Sequence, residues 1–279
     1  MPVELVDAPA DGRIFATTRR VRLGDSSPGG RLRLDALARM LQDVSDDDTR
    51  SAGFEDAAGW VVRRTSIRVE RFPAYLEVLQ ARTWCSGTGG RWAERRISLR
   101  GDDTSGGAAT AGSGAPGAGD GTGEQDGPAG TPRHGGGTVD AATLWVHLDP
   151  ETMRPLTLPA SFHELFGEAS GGRTVRATLH HEALPAELRA SHPFVLRFTD
   201  FDVLGHVNNA NYWVSVEEEL ARRRDLRAPL RAEVEHREAI EPGATVDVHV
   251  RDGEGTLELW LVDRTTRRVY ASGRVEAER

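Results

Sequence analysis

Apart from one glycine-rich stretch, the chain spells the same order of elements twice, and this duplication narrows its possible folds more than any other feature. The first pass reads strand FATTRRVRL (15–23), loop GDSSPGG, helix LRLDALARMLQDVSDDD (32–48), then the strands WVVRRTSIRVERF, LEVLQARTW, RWAERRISLR and DAATLWVHLD. The second reads strand FVLRF (194–198), loop TDFDVLGHVNN, helix ANYWVSVEEELARRR (210–224), then LRAEVEHREAI, TVDVHVR, TLELWLVD and RRVYASGRVE. Alternation and β-branched residues mark the strands, and Pro73 and Pro242 interrupt the two meanders at matching places. In the first helix Leu34, Leu37, Ala38, Leu41 and Val44 share one face; in the second, Val214, Val216 and Leu220 mix with Tyr212 and Trp213. A helix lying across a mostly antiparallel sheet, once in each half, predicts an α+β chain. Its expected parts are a first unit over 1–165, a connector over 166–192 and a second unit over 193–279.

The glycine-rich stretch, 101–137, holds 14 of the 31 glycines and no Val, Ile, Leu, Met, Cys or aromatic residue. It cannot bury enough apolar surface to offset chain entropy, so it is expected to be a disordered loop. Strand-like RWAERRISLR precedes it and VDAATLWVHLD follows, which predicts an antiparallel hairpin with an enlarged turn. The added closure entropy is roughly 2 kcal/mol at most, which a stable unit tolerates.

Composition excludes several classes of function. The formal charge is -8, and all 35 basic side chains are arginine, which disfavours a general nucleic-acid binder and rules out a lysine-dependent phosphate loop. GSGAPG, inside the glycine-rich stretch, lacks the strand and helix that a dinucleotide-binding glycine pattern needs. The nine histidines form no helical metal pair, and one cysteine, Cys85, allows no intrachain disulfide; no metal and no cofactor are expected. No stretch approaches the apolar length of a membrane span, and MPVELVDAPADGR has no signal-peptide pattern, so a cytoplasmic protein is expected.

Between the second half's first strand and its helix lies TDFDVLGHVNNANYW, Thr199 to Trp213. The run from Asp202 to Tyr212 resembles the active-site loop of hot-dog-fold thioesterases. RVRLGDSSPGGRLRLDALARMLQDVSDDDTRSAGF and RFPAYLEVLQARTWCSGTGGRWAERRISLR, in the first half, are similar to the amino-terminal half of the acyl-ACP thioesterases. The resemblance implies a tandem, or double, hot-dog fold and hydrolysis of fatty acyl-ACP to free fatty acid and ACP in fatty acid biosynthesis. It also implies, as partner, an acyl carrier protein bearing a 4'-phosphopantetheine-linked acyl chain. In this chain GDSS, Gly24 to Ser27, reads as a degenerate copy of the second-half loop.

Hydrolysis of a thioester needs a base or nucleophile, donors for the developing oxyanion and a slot for the acyl chain. Gly205 allows a positive φ and close approach of a ligand, and Asn208 or Asn209 is placed to cap the helix. The first helical amides, with Val207 beside them, then face substrate at the positive end of a dipole. The resemblance aligns Arg237-Glu238-Ala239 with the plant family's Arg-Glu-Cys, making Glu238 a candidate base or direct nucleophile beside Asp202 and His206. Alternation puts Glu238 on the face of Val234 and His236, opposite Glu233, Glu235 and Arg237, which favours burial. Two positions depart from the plant pattern: Leu204 stands where the loop carries Asn, and Ala239 where the strand carries Cys. An Asn-His-Cys mechanism is therefore closed to this chain, while Asp202, His206 and Glu238 remain.

Those departures keep other readings open: an acyl-CoA thioesterase, a hot-dog dehydratase or a non-catalytic acyl-thioester-binding protein, with homodimerisation unassigned. Docking of an acidic carrier predicts an arginine patch near the slot, drawn from Arg19, Arg20, Arg22, Arg63, Arg64 and Arg68. His180 and His181 are expected to be solvated connector residues, and the acids of DVSDDDTR have no functional reading from sequence.

Overall fold

The computed structural model describes residues 3–56, 59–101, 136–186, 188 and 190–278. Ten strands form one sheet: β1 (Phe15–Arg20), β2 (Gly59–Arg71), β3 (Val78–Thr88), β4 (Trp92–Gly101), β5 (Thr138–Leu148), β6 (Ala190–Phe194), β7 (Leu230–His236), β8 (Val246–Gly253), β9 (Thr256–Asp263) and β10 (Val269–Ala277). Their order is β1-β3-β4-β5-β2-β7-β10-β9-β8-β6. The five strands before the connector fill one side and the five after it the other, in mirror order about the antiparallel β2–β7 seam, which pairs Arg64 with Glu235 through Val69 with Leu230. Helices α1 (Leu34–Ser51) and α3 (Asn209–Ala221) lie side by side against this sheet, and a short α2 (Ala160–Phe166) leads into the connector.

The face expected of α1 is the one it buries: Leu34, Leu37, Ala38, Leu41 and Val44 enter one core with Trp213, Val216 and Leu220 of α3 and inward residues of both strand sets. The acid run lies inside this helix. Asp48, only 1% exposed, bonds Arg13 and Arg95, and Asp47 bonds Arg19, so arginines offset carboxylates that oppose the helix dipole.

Residues 102–135, which hold nearly all of the glycine-rich stretch, lie outside the described residues. At its ends β4 and β5 pair as expected, and Gly101 N donates to Gly137 O at 2.8 Å. Two strand boundaries differ from the sequence reading. The edge strand before the second helix is Ala190–Phe194 rather than 194–198, with Pro193 where an edge tolerates a missing donor. In the β7 segment pairing stops at His236, because a bulge in β10 at Tyr270 turns its carbonyl to accept from both Arg237 N and Glu238 N.

After α2, whose Phe162 and Phe166 pack with Cys85 and Ala93, the connector straps across the sheet face opposite the helices. Trp92 Nε1 donates to Val175 O, Arg64 to Thr178 O and Trp260 Nε1 to Glu182 O. Glu235, wholly buried beneath it, accepts from the amides of His180 and His181. His181 is not solvated: its ring is buried, with Nδ1 2.9 Å from Ser272 Oγ and Nε2 3.3 Å from Glu233. His181, Glu233 and Glu235 have metal-ligand spacing, yet each is engaged in pinning the strap, and Arg64 lies beside them.

Candidate active site

The loop leading into α3 is built by its own hydrogen bonds. Asp202 N donates to His206 O at 3.0 Å, and Gly205 N to Asp202 O at 3.0 Å across a backbone where Gly205 has φ +77°. The Asp202 carboxylate accepts from Leu204 N at 2.9 Å through Oδ1 and from Asn208 Nδ2 at 3.2 Å through Oδ2. Asn208 in turn caps α3, its Oδ1 accepting from Ala210 N at 2.9 Å. No acceptor for Asn209 N is present among the described residues, so one amide at the positive end of α3 is open.

Two long-range bonds bring the segment after β7 to this loop. Val207 N donates to Ile240 O at 3.0 Å, and Ile240 N donates to the Tyr212 hydroxyl at 3.2 Å. Glu238 and Ala239, just before Ile240, therefore stand beside Asp202 and His206. A cleft of ≈ 520 Å³ is lined by Asp202, Leu204, His206, Val207, Asn209, Glu238 and Ala239 from the second half and, across the seam, by Trp60, Arg63 and Arg91 from the first. Gly205 and Asn208 shape the loop without lining the cleft.

Glu238 is not buried as alternation suggested. Released from the ladder by the Tyr270 bulge, it is 44% exposed at the cleft and accepts from Arg268 Nη1 at 2.9 Å. Asp202 and His206 are linked through backbone, and no hydrogen bond joins their side chains among the described residues. Cys85 lies elsewhere, buried in the first half, where desolvation raises its thiol pKa and disfavours the thiolate.

His236 lines the cleft as well, and sequence reasoning assigned it a face but no role. Burial, with Arg63 adding to it, pushes its pKa down to about 3, so the ring is neutral at ordinary pH. It packs edge-on against Tyr212, centroids 4.7 Å apart, and Nε2 is buried without a partner among the described residues. The signal was a histidine among inward-facing residues of a strand that ends at the site.

A second cavity, ≈ 180 Å³, is walled by Phe54, Trp60, Cys85, Trp145, Phe162 and Phe166, and Trp60 belongs to both cavities. The arginines expected to form one patch are divided. Arg64 is buried under the connector, Arg68 pairs with Glu70 and Glu278, and Arg63 sits in the cleft at a bulge of β2. Arg19, Arg20 and Arg22 instead meet Arg39, Gln42 and Asn208 around a separate opening of ≈ 390 Å³.

Two helices wrapped by a mirrored ten-stranded antiparallel sheet define a double hot-dog protein, the architecture of thioester hydrolases. This chain belongs to the acyl-ACP thioesterase family: the family's N-terminal domain matches residues 12–111 and its C-terminal domain residues 185–275. Its fold is similar to that of the 12:0-ACP thioesterase from Umbellularia californica, with TM-score 0.71, 18% identity, and coverage of 96% of this chain and 98% of that one. It is also similar to an acyl-ACP thioesterase from Bacteroides thetaiotaomicron, with TM-score 0.68, 16% identity, and coverage of 95% and 98%. In sequence it is 25% identical over 261 residues to an uncharacterized protein of Mycobacterium tuberculosis, covering 92% of this chain and 90% of the relative. Among the described residues no helix is long and apolar enough to cross a membrane.

Proposed function

We propose that this thioester hydrolase cleaves fatty acyl-ACP, releasing free fatty acid and the carrier's thiol in fatty acid biosynthesis. The observation that carries this reading is one cleft in which Asp202, His206 and Glu238 meet the amino end of α3. In this reading the thioester carbonyl oxygen lies toward Asn209 N–H, where the helix dipole stabilises the negative charge it gains. Glu238, exposed enough to reach solvent, takes a proton from water as the water oxygen bonds the carbonyl carbon. Collapse breaks the C–S bond, and the departing sulfur receives that proton. Asp202 acts by holding the loop, since both its oxygens are engaged with Leu204 N and Asn208. With Ala239 beside Glu238, no thiol is available there as an alternative nucleophile.

The acyl chain would pass Trp60 into the aromatic cavity of the first half, and the acidic carrier would approach the arginines around Asn208. Free-thiol release from acyl-ACP and acyl-CoA of several chain lengths tests the proposal. Preference for acyl-ACP, falling at high salt, supports it. Preference for acyl-CoA would reassign the carrier, and no release from either would leave a non-catalytic acyl-thioester-binding protein.

A further inference from the structure

The two halves carry the same loop twice, and among the described residues the first helical amide is occupied in one copy, Leu34 N, and open in the other, Asn209 N. Gly30 has φ +79° where Gly205 has +77°, and Gly30 N donates to Ser27 O at 2.9 Å as Gly205 N does to Asp202 O. Arg33 N donates to Asp25 O at 3.0 Å, matching Asn208 N to Asp200 O at 2.8 Å. Leu32 N donates to Pro73 O at 2.8 Å, matching Val207 N to Ile240 O. Residue by residue, Ser27 stands for Asp202, Arg31 for His206 and Leu34 for Asn209.

In the first copy the helix end is closed by the opposite helix. Glu217 of α3 accepts from Leu34 N at 3.0 Å, and Arg31 forks onto the same carboxylate at 2.7 and 3.2 Å. A carboxylate that occupies the first amide of α1, locked by an arginine, takes for itself the donor that corresponds to Asn209 N–H. Carried along the helices, the same offset that relates Leu34 to Asn209 relates Gln42 of α1 to Glu217 of α3. Gln42 is indeed at the amino end of α3: with Asn209, Ala210 and Trp213 it borders a small void between the helices, and with Asn208 it borders the arginine-lined opening. Gln42 is half-buried, and its carboxamide has no hydrogen-bond partner among the described residues.

We infer that Gln42, supplied by the first half, is a substrate-contacting residue of the second half's active site: an uncharged counterpart of Glu217 that leaves Asn209 N–H free for the thioester carbonyl and directs its own amide toward the same oxygen. This deepens the proposed hydrolysis and rests on it. The asymmetry follows from one chemical difference. A carboxylate at this position takes the helix-end donor for itself, whereas a neutral amide competes weakly for it and adds a donor.

Gln42→Glu is nearly isosteric and should copy the plug into the open site. The expected result is a folded protein whose kcat falls by about a hundredfold or more while KM changes little. Its Asn209 amide resonance, followed by ¹⁵N-edited NMR, should move downfield as the new carboxylate ionises. Gln42→Met, similar in volume but without donor or charge, should lose about tenfold in kcat, and Glu217→Gln should lower thermal stability while leaving turnover within about twofold. Wild-type turnover by both Gln42 variants, or an Asn209 resonance indifferent to Gln42→Glu, overturns the inference. Should wild type release no thiol from any acyl thioester, the hydrolase reading fails by itself, and the amide resonance still decides where Gln42 points. If Gln42→Glu does not fold, the kcat of Gln42→Met decides.

Discussion

Asp202→Asn is the substitution whose consequences follow most directly from the geometry of the loop. It preserves volume and an acceptor for Leu204 N, but it turns the atom facing Asn208 Nδ2 into a second donor. Asn208 cannot answer by flipping its amide, because its Oδ1 is already the cap for Ala210 N. One hydrogen bond to a charged group is lost, about 1.5–3 kcal/mol, and if Asn208 turns away the cap goes too, about 1 kcal/mol more. For a chain of this size that is a fall in Tm of roughly 3–8 °C. The loop carries His206 and the open end of α3, and a misplacement of about 1 Å costs on the order of a hundredfold in rate, so kcat should drop by that factor. Calorimetry and a thiol-release assay on the same preparation read both numbers. An Asp202→Asn protein with wild-type Tm and wild-type kcat would refute the role given to this carboxylate. Wild-type Tm with lost activity would assign Asp202 to the chemistry instead.

Cys85→Ser and thiol alkylation should leave hydrolysis largely intact, whereas Glu238→Ala should reduce turnover at least about a hundredfold with the circular dichroism spectrum unchanged. Glu235→Leu removes the buried carboxylate that accepts from the His180 and His181 amides, and unfolding titrations should show about 2–5 kcal/mol of lost stability with the connector becoming protease-sensitive. His236 binds a proton in the unfolded chain below about pH 6.5 but in the folded one only near 3; stability is fully present above 6.5 and should fall by about 1.4 kcal/mol per pH unit on acidification across that window, a slope that His236→Gln should remove. Replacing residues 106–135 with Asn-Gly should keep Tm and turnover within about twofold in rate, since the strand ends already meet at Gly101 and Gly137.

Much of the architecture was legible because it is written in local pattern. The period of three to four in Leu34, Leu37, Leu41 and Val44 identified the buried face of α1, and period-two alternation identified the strands. Asn208 was readable as a cap, since that preference acts over two or three residues. Glu238 departs from the alternation for a physical reason: the pattern holds only while the ladder continues, and the ladder ends at a bulge supplied by Tyr270, thirty-odd positions away. His181 is buried against expectation, because whether a connector histidine meets water or a buried Glu235 depends on where the strap crosses the sheet.

By itself, the sequence determined that the chain repeats one strand-loop-helix-meander unit, that the second loop alone keeps Asp202 and His206, and that no thiol accompanies Glu238. Which helix end stays open was decided only in tertiary structure. Side-chain chemistry and local periodicity are properties of neighbours along the chain, but Glu217 closes Leu34 and Gln42 borders Asn209 across a helix pair whose contacts form only when both halves have packed.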